Sequence, residues 1–327
     1  MDLSGLVKVV AWTAGMTVAV YLIFDGKGET PDAGKHALLG AALGFVLGAL
    51  FVWQQRGVKG RAMTPWSGKW ALVTGASAGI GVALAEELAR GGTNLVLTAR
   101  RRERLEEVAK QLETAHKIQT KIFVADLAQA DAPEKIFQFT QDQRIEIELL
   151  INNAGFGAYG EFPTVEARKL TDMVQVNCAA VAHLTRLYAP EMVARRHGDI
   201  LIVASTAAFQ SVPYISTYAA TKAFDLLFAE GLAEELKPHG VRVCALCPGS
   251  TESEFAEVAG QTHIAATRAN RETAEKVART GLRALAAGKS YVISGLGNYL
   301  GVLGQRLVSR RFVARVAARM FRPPNKS

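Results

Sequence analysis

Short apolar runs separated by longer amphipathic stretches make up most of the chain. The runs cover residues 71–74, 95–98, 121–124, 149–151, 200–204, 241–246 and 291–293. Runs that are apolar throughout, rather than at alternate positions, predict strands buried on both faces. The stretches between them are long enough for helices, and 82–90 has a helical pattern. Strand and helix therefore alternate, which predicts a doubly wound parallel α/β sheet over residues 61–296. No internal repeat or low-complexity stretch interrupts it, and one domain of this size buries a substantial core.

Both ends depart from this pattern. Residues 9–24 form a stretch of 16 without charge, and residues 37–53 one of 17. A spanning helix needs roughly 17 to 25 residues. Between them lies the polar, glycine-rich segment 25–35, so residues 1–60 read as a transmembrane helical hairpin with its basic flank. Gly40, Gly44 and Gly48 recur at the spacing that lets two helices approach closely in lipid. Arg56, Lys59 and Arg61 follow the second segment, which puts the catalytic domain on the cytoplasmic side. A cleaved signal peptide fits poorly, because no basic cluster precedes the first segment and no cleavage pattern follows it. A soluble pair of helices, acting as an assembly arm, is the rival reading, and a homo-oligomer is the partner it would allow.

Residues 297–327 form a basic tail. From Arg306 onward there are six arginines and one lysine with no acid, which accounts for most of the net charge of +8. At 100° per residue, Arg311, Arg315, Arg319 and Arg322 share one arc, opposite Phe312, Val313, Val316, Met320 and Phe321. Such a basic amphipathic helix suits either an anionic membrane surface or a docked position on the domain. Nucleic acid is not expected as a partner, since no recognition motif accompanies the arginines.

The chemistry is concentrated in two places. After the first apolar run comes Gly75-Ala76-Ser77-Ala78-Gly79-Ile80-Gly81, and then a helix. Strand, glycine turn and helix form the context in which a backbone approaches a pyrophosphate and a helix N-terminus faces its charge, as in a Rossmann fold. Far downstream, Tyr218 and Lys222 lie one helical turn apart, and Ser205 ends an apolar run 13 residues before Tyr218. A phenol with an ordinary pKa of about 10 is a weak base at neutral pH, and an adjacent ammonium favours its ionised form. Ser205 could hold a substrate oxygen for proton transfer.

These motifs resemble the short-chain dehydrogenase/reductase family over about residues 69–296. Thr74 to Gly81 is similar to the family's cofactor motif, Asn152-Asn153-Ala154-Gly155 to its sheet-stabilising motif, and Asn177, Ser205, Tyr218 and Lys222 to its catalytic tetrad. The resemblance assigns adenine contact to Asp126 and Leu127, and nicotinamide packing to Pro248, Gly249 and Thr251. It further implies cofactor contacts from Gly75, Ser77, Ala78, Gly79, Ile80, Gly81, Asn153, Ala154 and Gly155, and from Tyr218 and Lys222. It implies a hydride passed to a carbonyl carbon while Tyr218 supplies the proton, Ser205 steadies the oxygen, and Lys222 lowers the phenol pKa and holds the ribose. Asn177 would anchor a water that relays protons through Lys222.

The cofactor expected is NADP. After the second strand the chain reads Ala99-Arg100-Arg101-Arg102, with no carboxylate before Glu103. NAD-selective proteins place an acid there, whereas a nearby arginine accepts the 2′-phosphate of NADP. Arg100 is the first choice for that contact and Arg101 the second.

Cys178, Cys244 and Cys247 read as structural thiols, and no metal is expected. The region 252–288 offers Phe255, Val258, Ile264 and Leu282 but no charge cluster. A lipophilic carbonyl or alcohol such as an acyl, steroid or retinoid compound is therefore the expected substrate, as in the membrane-associated members of the family. A non-catalytic nucleotide-binding scaffold or redox sensor is the alternative, and a soluble reductase with an assembly arm is a third.

Overall fold

The computed structural model describes residues 65–260 and 271–323, with Ala42 alone upstream. The chain divides into two units, Met1–Gly60 and Arg61–Ser327, and every element below belongs to the second. The expected hairpin lies outside the described residues. Among the described residues no helix is long and apolar enough to cross a membrane.

All seven apolar runs are strands: β1 Trp70–Thr74, β2 Asn94–Ala99, β3 Thr120–Val124, β4 Ile147–Asn152, β5 Gly198–Val203, β6 Val241–Cys247 and β7 Tyr291–Ile293. They form one sheet in the order β3-β2-β1-β4-β5-β6-β7, with every neighbouring pair parallel. β4 and β5 are buried at every position, as strands covered on both faces must be. The helices of eight or more residues among the described residues are α1 Gly79–Arg90, α2 Arg102–His116, α3 Ala132–Asp142, α4 Ala167–Val174, α5 Ala180–Ala194, α6 Ser216–Leu236, α7 Ala274–Ala286, α8 Leu296–Gln305 and α9 Arg310–Phe321. α1 packs on α7, and α3 on α5. The apolar core includes Leu84 and Leu88 of α1, Val277 and Leu285 of α7, and the inward residues of β1, β2 and β6.

Most strands extend one or two residues beyond the apolar runs, β4 for example covering Ile147–Asn152, and two further boundaries shift for local reasons. α1 begins at Gly79 rather than at residue 82, because the glycine turn runs directly into the helix. β5 ends at Val203, although the Ala204 N–H still donates to the Leu246 carbonyl at 2.8 Å. At the opposite end of the sheet, buried Asp199 on β5 accepts from Arg242 Nε at 2.6 Å and from Trp66 Nε1 at 2.7 Å.

The strand order reverses between β1 and β4. Connections from these two neighbours leave in opposite directions, so a crevice opens beyond their carboxyl ends. The glycine turn follows β1 and Asn153 follows β4, which brings both expected motifs to that crevice.

Candidate active site

The glycine turn is shaped by close backbone approach. Gly75 has φ +67° and Gly79 φ +54°, values that side-chain-bearing residues adopt at a cost. A Cβ on Gly75 would lie 2.9 Å from Ala154 Cα, and one on Gly81 would overlap the Gly75 carbonyl oxygen. Thr74 fastens this turn to the segment after β4. Its hydroxyl donates to Ile151 O and accepts from the N–H groups of Asn153 (2.9 Å) and Ala154 (3.0 Å). Asn153 Nδ2 donates in return to Thr74 O at 2.8 Å. α1 then starts at Gly79, its N-cap position held by Ala78 with no side-chain cap, and has no acid in its first turn. Its N-terminal amides lack a side-chain partner, as an anion site requires.

A cleft of about 1010 Å³ runs from this turn across the ends of the strands, at the upper end of common ligand cavities. Gly75, Ser77, Ala78, Gly79 and Ile80 line one arm, and Ser205, Tyr218 and Lys222 line the middle. Asn153, Ala154, Gly155, Pro248, Gly249 and Thr251 border it, as do Asp126, Leu127, Arg100 and Arg101 at the rim. Gly81 and Asn177 stand behind this wall. Gly81 packs under the turn, and Asn177 is fully buried.

The middle of the cleft carries the acid–base groups. Ser205 caps a short 3-10 turn, its hydroxyl accepting from Ala207 N at 3.1 Å, and it lies near enough to the Tyr218 phenol to lower its pKa. Lys222 Nζ donates to Val203 O at 2.7 Å and to Asp225 Oδ2 at 2.8 Å. Burial pushes the Tyr218 phenol above its ordinary pKa; Lys222 and Ser205 pull it down without overcoming that rise, and Asp225 adds to it. Lys222 acts on the phenol in the expected direction, lowering its pKa, while desolvation of the anion is the larger effect.

Asn177 lies on a π-helical turn, Gln175–Ala179, between α4 and α5. Its Nδ2 donates to Phe156 O and Thr221 Oγ1, each at 3.0 Å, and its Oδ1 accepts from Phe156 N at 3.1 Å. The side chain thus holds the segment after β4 against α6.

At the rim, Arg101 is already engaged. Its guanidinium donates to Ser77 Oγ and O and pairs with Glu254 at 3.0 Å. Glu254 also reaches Arg104 at 3.7 Å. Among the described residues no hydrogen bond or ion pair engages Arg100. Cys244 and Cys247 are buried free thiols, burial raising the pKa of both, and the described residues hold no cluster suited to a metal.

Residues 69–263, more than half of the chain, match the family model described as short chain dehydrogenase. The chain belongs to this family. It is 40% identical over 194 residues to the very-long-chain 3-oxoacyl-CoA reductase-A of Danio rerio, covering 58% of this chain and 60% of that protein. It is 34% identical over 233 residues to the very-long-chain 3-oxoacyl-CoA reductase of Homo sapiens, covering 69% of this chain and 73% of the relative. Among solved structures, a short-chain dehydrogenase from Sphingobium yanoikuyae in complex with NADPH superposes with a TM-score of 0.66 at 29% identity, over 73% of this chain and 93% of the other.

Against that family frame, the far arm of the cleft is built by the tail. α9 buries Ala317 and Phe321, and the Tyr159 hydroxyl donates to Phe321 O at 2.9 Å. Val308, Phe312, Val316 and Met320 are exposed yet line the same cleft. The apolar arc read from the sequence is thus split, one part packed on the domain and one facing the cavity. Sequence reasoning missed Thr74 as a clamp, Asp225 and Glu254. Asp225 was visible as an acid three residues after Lys222, on one helix face. Glu254 carried no local signal.

Because the described residues leave Arg100 free, Arg100→Ala should weaken NADPH binding about ten- to a hundredfold, the worth of a charge-assisted hydrogen bond, and leave NADH binding nearly unchanged. Arg101→Ala should weaken both cofactors, since it loosens the glycine turn through Ser77. Fluorescence titration of each variant with both cofactors checks the difference.

Proposed function

We propose that the chain is an NADP(H)-dependent carbonyl reductase and alcohol dehydrogenase acting on a lipophilic ketone, aldehyde or alcohol. One observation carries this reading: Ser205, Tyr218 and Lys222 face one cleft, whose other arm ends at the uncapped start of α1. The glycine positions where a Cβ would collide and the acid-free first turn fit a pyrophosphate, and Arg100 fits a 2′-phosphate. NADPH, when bound, supplies the hydride.

The chain's own groups do the rest. Ser205 donates a hydrogen bond to the substrate carbonyl oxygen and keeps it beside the phenol. Tyr218 gives its proton to that oxygen as negative charge develops there. The Lys222 ammonium stabilises the phenolate left behind, and its remaining N–H is available to a ribose hydroxyl. Asn177 acts by holding the loop at Phe156, and a relaying water would bind the second lone pair of its Oδ1.

Substrate class is argued from the far arm. Phe312, Val316 and Met320 of α9 offer an apolar wall, which suits a long hydrocarbon chain, and relatives are named very-long-chain 3-oxoacyl-CoA reductases. A long-chain 3-oxoacyl group is the reading we favour. Residues 9–24 and 37–53 would anchor the enzyme as a membrane hairpin, the basic flank after them placing the domain on the cytoplasmic side.

Tyr218→Phe should lower NADPH-dependent reduction of a long-chain 3-oxoacyl-CoA at least a hundredfold, in line with the roughly 10²–10⁴-fold worth of a positioned acid, while cofactor affinity stays near normal. In the unmodified protein the rate should stay flat through neutral pH and fall only above about pH 10, where a phenol with a raised pKa loses its proton. Retention of more than a few per cent of the rate in Tyr218→Phe would remove Tyr218 from the acid role. The anchor has its own check. Full-length protein should stay with membranes through alkaline carbonate, and release by that wash would make the apolar segments an assembly arm.

A further inference from the structure

The helix that builds the far arm of the cleft presents three stripes. Ala317 and Phe321 are buried on the domain. Beside them Phe312, Val316 and Met320 are exposed, Phe312 by 55% and Met320 by 65%, although each also lines the cleft. Arg311, Arg315, Arg319 and Arg322 make the third stripe, on the other side of these three, and all four are exposed. The segment entering α9 extends the pattern, with Leu307 and Val308 exposed beside exposed Arg306 and Arg310. Among the described residues no ion pair engages Arg311, Arg315, Arg319 or Arg322, and the sequence has no acid after Arg306.

Apolar side chains left in water at the lip of a cavity mark a surface that something covers. Its occupant has to meet hydrocarbon with one stripe and cations with the next. A second copy of the chain, docked by two-fold symmetry, would set this patch against itself, arginine facing arginine. An anionic lipid surface offers phosphates to the guanidinium groups and acyl chains to the apolar stripe. The arginine stems are long enough to reach the headgroups while Phe312, Val316 and Met320 lie at the acyl boundary.

We infer that the outward face of α9 docks on an anionic lipid surface, and that the lip of the cleft is thereby a portal through which a lipophilic substrate passes from the bilayer toward Tyr218 without crossing water. The inference rests on the lipophilic-carbonyl reading and adds to it the side from which substrate enters. It is separate from the anchor, since a hairpin alone would hold the enzyme at a membrane without turning α9 toward lipid.

The test uses full-length protein in vesicles of phosphatidylcholine and phosphatidylglycerol whose acyl chains are brominated. The fluorescence that Phe312→Trp adds to that of the parent protein should be quenched. Adding Arg311→Gln, Arg315→Gln and Arg319→Gln together should relieve the quenching. Fluorescence that the brominated chains leave unquenched would overturn the inference, whether water or a second copy covers the face, and quenching that persists without the three arginines would overturn the assignment to an anionic surface. A kinetic measurement tests the portal. In the triple arginine variant, KM for an uncharged long-chain ketone dissolved in anionic vesicles should rise about tenfold, the scale set by several arginines near such a surface, with kcat unchanged. In phosphatidylcholine alone, variant and parent should agree. A rise that persists in the neutral vesicles would mean that the arginines touch the substrate itself, and an unchanged KM in the anionic ones that substrate enters elsewhere; either overturns the portal. Failure of the parent protein to oxidise NADPH with any carbonyl would sink the reductase reading instead, while the quenching still reports on the docked face.

Discussion

A buried ammonium has to be satisfied, and the reaction centre is organised around that need. Lys222 is 5% exposed, and a charge so placed is stable only with acceptors in fixed positions. The carbonyl of Val203 is one, and it draws α6 onto the end of β5. Ser205 follows two residues later in the chain, so the contact that satisfies the lysine also sets the serine beside Tyr218. Asp225 is the other acceptor, on the same helix. One side chain thereby fixes the strand end, the helix and the distance between the two hydroxyls.

The sheet supplies the place where this can happen. Parallel strands end their carboxyl termini on one edge, and the reversal between β1 and β4 opens that edge to a ligand. Thr74 and Asn153 bind the turns after those two strands to each other. The third arm comes from the chain's end, where α9 spends part of its apolar face on the domain and leaves the rest toward the cavity.

Local pattern made much of this legible. Each β-strand was readable because burial on both faces demands unbroken apolar runs, and the glycine turn because its backbone conformations exclude side chains. Tyr218 and Lys222 were readable because helical spacing places them together. The π-helical turn at Asn177 was not, since one extra residue in a helix leaves no mark in hydropathy. Spacing likewise shows Lys222 beside Tyr218 but not the desolvation that outweighs its pull on the phenol. Glu254 is far from Arg101 in sequence, and only the fold brings them together. The tail's amphipathic pattern left docking on the domain and on lipid equally open, because both bury the same face. Tyr159 and the packing of Phe321 settle where its buried edge lies.

The central claim is that this cleft moves a hydride and a proton to one carbonyl group. The most direct measurement is mass spectrometry of the product formed by the full-length protein from a long-chain 3-oxoacyl-CoA and NADPH deuterated at its transferable position. The account predicts a 3-hydroxyacyl product that carries the deuterium on the former carbonyl carbon. A protein that binds the deuterated cofactor yet returns no labelled alcohol from that substrate, or from a panel of lipophilic ketones and aldehydes, would contradict it.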